Sequence, residues 1–347
     1  MAYTLPPEWY PQDAILLTWP PLESDWSSML ERIEATFEAL VRAISAYQRV
    51  VLVLDSQARA DAVRTRLTTL GARIENCLFH VAPADDTWAR DHGPITRLNE
   101  GAPELLDYRF TGWGGKFAAE RDNALTRALE HCWSVPVIDH QLRILEGGAI
   151  ESNGQGVVLV TTSCLLNENR GSVSRADWEA HMRAQWGTEH VLWLEHGHLE
   201  GDDTDSHIDT LARFCAEDVI AYVHCDDPSD PHFDALALME AELKAFRTPE
   251  GHPYTLVPLP WPRAAFDPDD GHRLPATYAN FLITNQEVLV PIYQDPADLM
   301  ALNVLQSLFP ERRIVPVDCT SVIRQHGSLH CLTMQLPKGT LGPLDHH

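Results

Sequence analysis

The chain has 347 residues, of which 44% are apolar and 22% are charged, and these values are typical of a folded globular protein. Its 50 acidic and 26 basic residues give a formal charge of −24 at pH 7, which disfavours nucleic acid and anionic membranes as partners because both are polyanions. Solubility alone explains such a surface, although the same charge would also concentrate a small cation near it.

Helical and strand patterns alternate along the chain. Apolar residues at helical spacing predict helices over 29–49, 57–70, 120–132, 174–186, 231–246 and 296–309. A short apolar run typical of a buried strand follows each one, at 50–54, 77–81, 135–138, 190–194, 254–257 and 313–317. Further strands are predicted at 156–162, 218–223, 278–284 and 287–292. This repeated order predicts an α/β fold and excludes the all-α and all-β classes.

The organisation of the chain favours a single domain over residues 1–347. The one proline-rich stretch, 258–275, is interpreted as an extended surface loop and not as a linker between domains. Neither G-x-G-x-x-G nor a P-loop motif is present, which weakens a nucleotide-binding interpretation. His346 and His347 are set aside from these arguments.

The cysteines indicate a reducing compartment. All seven are scattered and no C-x-x-C occurs, so neither a disulfide framework nor a structural zinc site is indicated. Residues 1–8 lack a basic region followed by an apolar stretch, and no later run approaches eighteen uncharged apolar residues. We therefore expect a cytoplasmic protein with no membrane partner.

The segment Arg90 to Pro94 contains an arginine, an aspartate and a histidine and ends in Gly-Pro, which does not continue a regular helix or strand. It is predicted to form a turn after the strand that ends near Val81, with polar side chains displayed at a sheet edge. Acids on a loop that a scaffold positions are candidates for a functional site. The alternative is an ordinary surface ion pair between Arg90 and Asp91.

Glu146 lies in an otherwise apolar strand pattern, directly before Gly147 and Gly148. A carboxylate that faces the core needs a partner. The paired glycines permit close approach of the backbone or a positive φ, and a tight turn is the simpler interpretation of the local sequence.

The segment 196–209 is dense in histidine and aspartate, so metal binding has to be weighed. An EF-hand loop that began at Asp203 would need glycine at 208 and glutamate at 214, where the chain has Ile208 and Phe214. His207 and Asp209 alternate around Ile208, which puts both polar side chains on one side of an extended stretch. This arrangement suits an acid/base histidine beside a carboxylate that binds a cation. No metal and no cofactor are expected.

Cys331 follows Gly327, Ser328 and His330 at the predicted start of a strand after a turn, where a substrate could reach it. Its apolar neighbours also allow an ordinary core cysteine. A thiol, a histidine and two acids fit one chemistry. Because a guanidinium is planar, cationic and poorly electrophilic, cleaving its C–N bond calls for carboxylates that orient it and a thiolate that attacks. A histidine must then protonate the departing ammonia and activate water.

Four motifs resemble those of the agmatine deiminases, in the same order and at comparable spacing. They are WARDHGP at 88–94, LEGG at 145–148, GDDTDSHID at 201–209 and HCLTMQLP at 330–337. The stretches 7–20 and 278–291 are similar to the same family, so the resemblance covers nearly the whole chain. It implies the pentein fold, in which five pseudo-symmetric ββαβ units form a propeller around a central active site.

The resemblance also implies roles for individual residues. Cys331 would be the nucleophile, His207 the general acid and base, and Glu146 the partner that orients the histidine, while Asp91 and Asp209 would hold the guanidinium. Attack would give a covalent amidino-thioether with loss of ammonia. Water would then release N-carbamoylputrescine, a product on the route to putrescine and polyamines. The family uses a small cationic guanidino substrate and no cofactor, and a homo-oligomer is compatible with it.

The choice of substrate stays open at this level. Leu329 and Asn153 depart from residues that are common in relatives, an asparagine before the His-Cys pair and an acid after the Glu-Gly-Gly turn. The alternatives are an arginine or peptidylarginine deiminase of the same superfamily and an amidinotransferase. An arginine substrate would need a partner for its carboxylate, for which the candidates are Arg90, Arg109, Arg121 and Arg324. The candidates for substrate binding, including the distal amine of agmatine, are Trp88, Asp85, Asp86, Asp203 and Arg90.

Overall fold

The structure, a computed structural model, describes residues 3–342, so His346 and His347 lie outside the described residues. The helices are α1 (Leu30–Ser45), α2 (Gln57–Thr69), α3 (Ala89–His92), α4 (Gly112–Gly115), α5 (Glu120–Ala128), α6 (Thr162–Leu165), α7 (Arg175–Trp186), α8 (Phe233–Ala245) and α9 (Asp298–Leu308). The strands are β1 (Tyr3–Thr4), β2 (Gln12–Thr18), β3 (Arg49–Leu54), β4 (Cys77–Val81), β5 (Ile95–Asn99), β6 (Ala102–Arg109), β7 (Val137–Ile144), β8 (Glu151–Ser152), β9 (Val157–Thr161), β10 (His190–Leu194), β11 (Ala212–Ala216), β12 (Val219–Val223), β13 (Thr255–Leu259), β14 (Ala265–Phe266), β15 (Arg273–Leu274), β16 (Leu282–Ile283), β17 (Glu287–Ile292), β18 (Arg313–Asp318) and β19 (Thr333–Pro337).

Five small sheets repeat one pattern, in which an antiparallel pair is extended by a parallel strand. Their strand orders are β19-β2-β3-β4, β1-β5-β6-β7, β10-β9-β8, β11-β12-β13 and β16-β17-β18. The parallel steps are β2 to β3, β6 to β7, β9 to β10, β12 to β13 and β17 to β18, and the intervening helices are α1, α5, α7, α8 and α9. The predicted α/β class is therefore confirmed. Among residues 3–342 no sheet closes on itself.

The predicted helix–strand pairs are all present, with ends that shift by a few residues. The strand expected over 278–284 is reduced to β16, because the carbonyls of Ala279 and Phe281 accept hydrogen bonds from Arg213 and that of Asn280 accepts one from the backbone of His330. The stretch 258–275, expected to be one extended loop, contains the short antiparallel pair β14–β15.

The central strands are buried and apolar, as expected for strands that are covered on both faces. β3 and β9 are buried along almost their whole length, and α1 covers part of this core with Phe37, Leu40 and Val41. Within the described part of the chain, no helix has the length and apolar character needed to span a bilayer.

Gly187 ends α7 in the left-handed region at φ +65°, and a Cβ there would lie 2.1 Å from the carbonyl oxygen of Tyr3. We expect Gly187→Ala to lower the free energy of unfolding by more than the ~1 kcal/mol cost of a left-handed alanine, because the backbone of β1 must also move. Urea denaturation measures this loss. Gly71→Ala is the matched control, since Gly71 has φ +80° and no atom within 4 Å of the added Cβ. Equal losses in the two variants would contradict a role for the contact with Tyr3.

Candidate active site

The five residues predicted to act together lie in one buried cluster. The Sγ atom of Cys331 is 3.8 Å from Oδ2 of Asp209. The ring of His207 has Nδ1 3.6 Å from Oδ1 of Asp91 and Nε2 3.9 Å from Oε2 of Glu146. No side chain of the five is more than 3% exposed. Residues far apart in the sequence thus form a group that is closed to bulk water.

Short helical turns at strand ends position these side chains. Asp91 lies in the one-turn helix α3, and Glu146 precedes a 3₁₀ turn that follows β7. Asp209 occupies a 3₁₀ turn before β11 and His207 directly precedes that turn, while Cys331 occupies another before β19. Residues 90–94 were predicted to form a turn that displays polar side chains at a sheet edge. That display was wrong, because Arg90 and Asp91 lie in α3, are both buried and each contact residues of other turns.

Gly147 and Gly148 are required for close approach and not for a positive φ. A Cβ on Gly147 would lie 2.3 Å from the carbonyl oxygen of Arg90, and a Cβ on Gly148 would lie 2.5 Å from Nδ1 of His207. The amide of Gly148 also donates a hydrogen bond of 3.1 Å to Oδ1 of Asp91. The paired glycines therefore allow this backbone to pass directly beneath the acid/base cluster.

His207 is surrounded by groups that favour its charged form. Burial alone would lower the pKa of His207, but Asp91, Cys164 and Glu146 together raise it well above its ordinary value. Burial, opposed by His207 and reinforced by Asp209 and Glu146, raises the pKa of Asp91 to about 6. Among the described residues, neither ring nitrogen of His207 has a hydrogen-bond partner of good geometry. The ring is thus held loosely, with Nε2 facing Glu146 and Nδ1 facing Asp91.

Arg170 binds the carboxylate of Glu146 and holds it in place. Its Nε donates to Oε2 and Oε1 of Glu146 at 2.9 and 3.2 Å, and its side chain has no exposed surface. Nη1 donates to Asp205 at 2.5 Å, and Nη2 donates to the carbonyl of Thr204 at 2.8 Å. The sequence interpretation identified neither Arg170 nor Cys164, because neither belongs to an acid- or histidine-rich segment.

Asp209 holds the thiol segment on its other side. Its Oδ2 accepts a hydrogen bond of 2.8 Å from Nδ1 of His330, while its Oδ1 has no partner among residues 3–342. Burial would raise the pKa of Asp209, but the hydrogen bond and charge of His330 outweigh burial and lower it. Burial, Asp209 and Asp91 raise the pKa of the Cys331 thiol well above its ordinary value. Without a ligand, Cys331 is therefore a protonated thiol at neutral pH.

A second layer of buried charge lies behind His330. Its Nε2 is 2.5 Å from Oε2 of Glu8, so the ring lies between the carboxylates of Glu8 and Asp209. Glu8 in turn contacts Arg90 at 3.3 Å and Arg213 at 3.0 Å. A neutral imidazole donates only one hydrogen bond, so the two carboxylate contacts require a second proton within this row. Glu8 was noticed in the sequence only as part of a motif and not as a site residue.

Arg90, predicted to bind substrate, lies on the Glu8 side of His330. Its guanidinium donates to Gln335 at 2.5 Å and contacts Glu8 and the sulfur of Met334. Its terminal nitrogens are thus engaged by the protein, whereas its Nε has no partner among residues 3–342, and a role in holding Glu8 agrees better with its position.

Of the remaining predicted binding residues, Asp85, Asp86 and Trp88 are engaged by other residues of the protein. Asp86 is tied to the indole N–H groups of Trp26 and Trp88 at 2.7 and 3.0 Å, and Asp85 is paired with Arg121. Trp88 packs on Gly327, where a Cβ would lie 2.2 Å from its ring.

Asp203 differs from Asp85 and Asp86, because burial raises its pKa to about 6 and its nearest charges are His326, Asp202 and Lys116. Its carboxylate is only partly compensated by these neighbours.

Trp113 was missed in the sequence, although the GWGG run at 112–115 marks an unusual backbone. Its Nε1 donates to Oδ2 of Asp91 at 2.9 Å, and its ring meets Trp88 edge-on at 6.3 Å. Trp113 has φ +55°, which is strained for a bulky residue. The strained turn thus delivers an indole N–H to the carboxylate that also faces His207.

Comparison with known proteins places the chain among guanidine-modifying enzymes. Residues 4–337 match the family model described as Porphyromonas-type peptidyl-arginine deiminase. A crystal structure of the "Putative Arginine Deiminase" of Porphyromonas gingivalis is 44% identical, with a TM-score of 0.91, and the match covers 98% of this chain and 100% of that one. A cysteine-to-serine variant of the agmatine deiminase of C. jejuni, with substrate bound, is 36% identical with a TM-score of 0.88 over 97% of each chain. A "Putative agmatine deiminase" of Selenomonas ruminantium is 30% identical over 96% of each chain.

The charge around Cys331 predicts selective alkylation. We expect 2-chloroacetamidine, a cation, to modify Cys331 at pH 7.5 at least about ten-fold faster than the neutral isostere 2-chloroacetamide, because a cation beside Asp91 and Asp209 lowers the thiol pKa by a unit or more. Peptide mapping by mass spectrometry measures the two rates, with the half-buried Cys132 as the internal reference thiol. Asp91→Asn should reduce the preference. Equal rates for the two reagents at Cys331 would contradict the electrostatic argument.

Proposed function

The chain belongs to the Porphyromonas-type peptidyl-arginine deiminase family, and we propose that it is an agmatine deiminase, a hydrolase that acts on the guanidino group of its substrate. The observation that carries this proposal is the position of the Cys331 thiol beside Asp209, with Asp91 across Gly148 and His207 between Asp91 and Glu146. Planar carboxylate pairs are suited to a guanidinium, because each can accept two parallel N–H bonds.

In the first half-reaction the guanidinium binds between Asp91 and Asp209. The bound cation lowers the pKa of the Cys331 thiol, which releases its proton to solvent, and the thiolate adds to the guanidino carbon. The His207 imidazolium then donates its proton to one terminal nitrogen, and the C–N bond breaks to release ammonia. The products of this half are an amidino-thioether on Cys331 and a neutral His207.

In the second half-reaction water replaces the sulfur. Neutral His207 takes a proton from the attacking water, whose oxygen bonds to the amidino carbon. The C–S bond then breaks and its electron pair returns to the sulfur of Cys331. The hydroxyl proton of the intermediate passes to that sulfur, which leaves the carbon as a urea, Cys331 as a thiol and His207 as an imidazolium. From agmatine this product is N-carbamoylputrescine, which leads toward putrescine and polyamines. Glu146, held by Arg170, keeps the ring of His207 aligned in both halves.

Agmatine agrees better with the surroundings of the site than free arginine does. Of the arginines considered for a substrate carboxylate, Arg90, Arg121 and Arg324 are already paired with Glu8, Asp85 and Asp267. Arg109 lines a separate surface cavity with Arg143. For the distal amine we favour Asp203, because Asp85 and Asp86 have their oxygens engaged by protein donors. Trp88 would contribute its apolar face.

Several broader features are part of the same proposal. We propose that residues 1–347 form one catalytic domain in which the five ββαβ sheets surround the active site as a pseudo-symmetric propeller. The repeated strand order supports this arrangement. We also propose a cytoplasmic location, supported by the dispersed cysteines, and no nucleic-acid or membrane partner, supported by the charge of −24. A homo-oligomer is compatible with these features.

Ammonia release tests the reaction and the nucleophile together. We expect wild-type protein to release ammonia from agmatine far faster than from arginine or a peptidyl-arginine, and Cys331→Ala to abolish the release. Cys77→Ala, which removes a buried thiol on β4, is the control and should retain activity. Preference for arginine or the peptide would move the substrate within the family. A guanidino product formed in excess glycine would instead identify an amidinotransferase.

Glu8 is proposed as a positioning residue that acts through His330. We expect Glu8→Gln to lower kcat for agmatine by roughly 10- to 100-fold, the value of a charged hydrogen bond of 1.5–3 kcal/mol, with little change in KM. The pH profile of kcat should also shift, because the proton shared between Glu8, His330 and Asp209 loses one acceptor. Steady-state kinetics from pH 6 to 10 measure both effects. A loss of kcat with an unchanged profile and a lowered melting temperature would indicate a merely structural role.

A further inference from the structure

A second cluster of nucleophilic side chains lies apart from the active site. His80 is on β4, and His131 and Cys132 are in the 3₁₀ turn that follows α5. The Sγ atom of Cys132 lies 3.3 Å from Nδ1 and 3.4 Å from Nε2 of His80. The rings of His80 and His131 meet edge-on with centroids 5.3 Å apart. One donor atom from each of the three residues lies within 4.8 Å of the other two.

In the region that the structure describes, the histidines of this cluster lack carboxylate partners, although the chain is rich in acids. Elsewhere histidines pair with carboxylates, as in the contacts of His196 with Glu242 and of His232 with Asp230. Within residues 3–342, neither His80 nor His131 has a carboxylate oxygen within 4.0 Å, although acids outnumber bases almost two to one. The three side chains contact one another instead.

The three donor atoms are close enough to share a transition-metal ion. With Zn–S near 2.3 Å and Zn–N near 2.0–2.1 Å, tetrahedral coordination places sulfur and nitrogen roughly 3.5 Å apart. The sulfur of Cys132 lies 3.3 and 3.4 Å from the two nitrogens of His80, so the His80 ring must turn for one nitrogen to point at a shared ion. His131 is exposed, so its ring can turn toward a common ion without disturbing the core. Since the cluster offers thiolate and imidazole and no carboxylate, it disfavours Mg²⁺ and Ca²⁺.

We propose that His80, His131 and Cys132 bind one divalent transition-metal ion of borderline softness, such as Zn²⁺, with water in the fourth position. Cys132 releases its proton to solvent when the ion binds. The site joins the edge strand β4 to the segment that leads into β7, because its ligands come from both. An ion that binds only the folded state stabilises that state, so its effect is on stability and not on the chemistry at Cys331.

Metal titration of the chelator-treated full-length protein tests this site. We expect one equivalent of Zn²⁺ by isothermal titration calorimetry, a thiolate-to-metal absorption band with Co²⁺, and a raised melting temperature at one equivalent of Zn²⁺. Cys132→Ser and His80→Asn should weaken Zn²⁺ binding by at least about 100-fold, because loss of an outer-sphere partner alone costs 10- to 100-fold. Agmatine turnover of these variants should be unchanged. Mg²⁺ should give no heat and no stabilisation.

The controls separate this cluster from other thiols. Cys225→Ser, a buried cysteine outside both clusters, should bind Zn²⁺ as the wild type does. His131→Gln should also weaken Zn²⁺ binding. Because His131 is exposed, this variant tests the site where a substitution at a less exposed residue fails to fold. Equal Zn²⁺ affinity in wild type and Cys132→Ser would overturn the proposal. So would binding that is lost only in Cys164→Ser, since that would locate the ion at Glu146, Cys164 and His207.

Discussion

The rest of the site depends on one constraint: three carboxylates must stay charged although they are buried away from water. Asp91, Glu146 and Asp209 are all buried around His207 and Gly148, and an uncompensated buried charge costs several kcal/mol. Each has one principal cationic or protonated neighbour: His207 for Asp91, Arg170 for Glu146 and His330 for Asp209. The glycines beneath the cluster, the strained turn at Trp113 and the buried guanidinium groups all serve to hold these pairs in place.

The compensation is incomplete at Asp209 and His207. Oδ1 of Asp209 and both nitrogens of His207 lack hydrogen-bond partners among the described residues, whereas Glu146 is paired with Arg170, and Glu8 with Arg90 and Arg213. A buried polar group without a partner destabilises the folded state until a ligand supplies one. These unpaired groups therefore lower the stability of the folded protein, and a bound guanidinium would restore it by pairing with them. Because the site lacks a cation until then, the Cys331 thiol stays protonated.

Local pattern was enough to predict the α/β class and most helices and strands, because apolar periodicity is a property of neighbouring residues. It also raised Asp91, Glu146, His207, Asp209 and Cys331 as candidates with ordinary alternatives, and the resemblance to the agmatine deiminases gave them their expected roles. Glu8, Arg170 and Cys164 could not be found this way, because their importance comes from contacts with residues far along the chain. The pairing of Arg90 with Glu8 could not be predicted for the same reason, because sequence gives the charge of Arg90 but not the acid that it faces.

The pairing of β19 with β2 carries a consequence for how the protein is made. Glu8 and His330 are 322 positions apart, and the strand after Cys331 completes the sheet begun by the first long strand. On the ribosome, Glu8 and one edge of β2 remain without these partners while the 322 positions up to His330 are translated. β3 can cover the other edge of β2 much earlier. The open edge is exposed in the meantime to wrong pairing and to chaperones, and the charged row that joins Glu8 to His330 forms only after that interval.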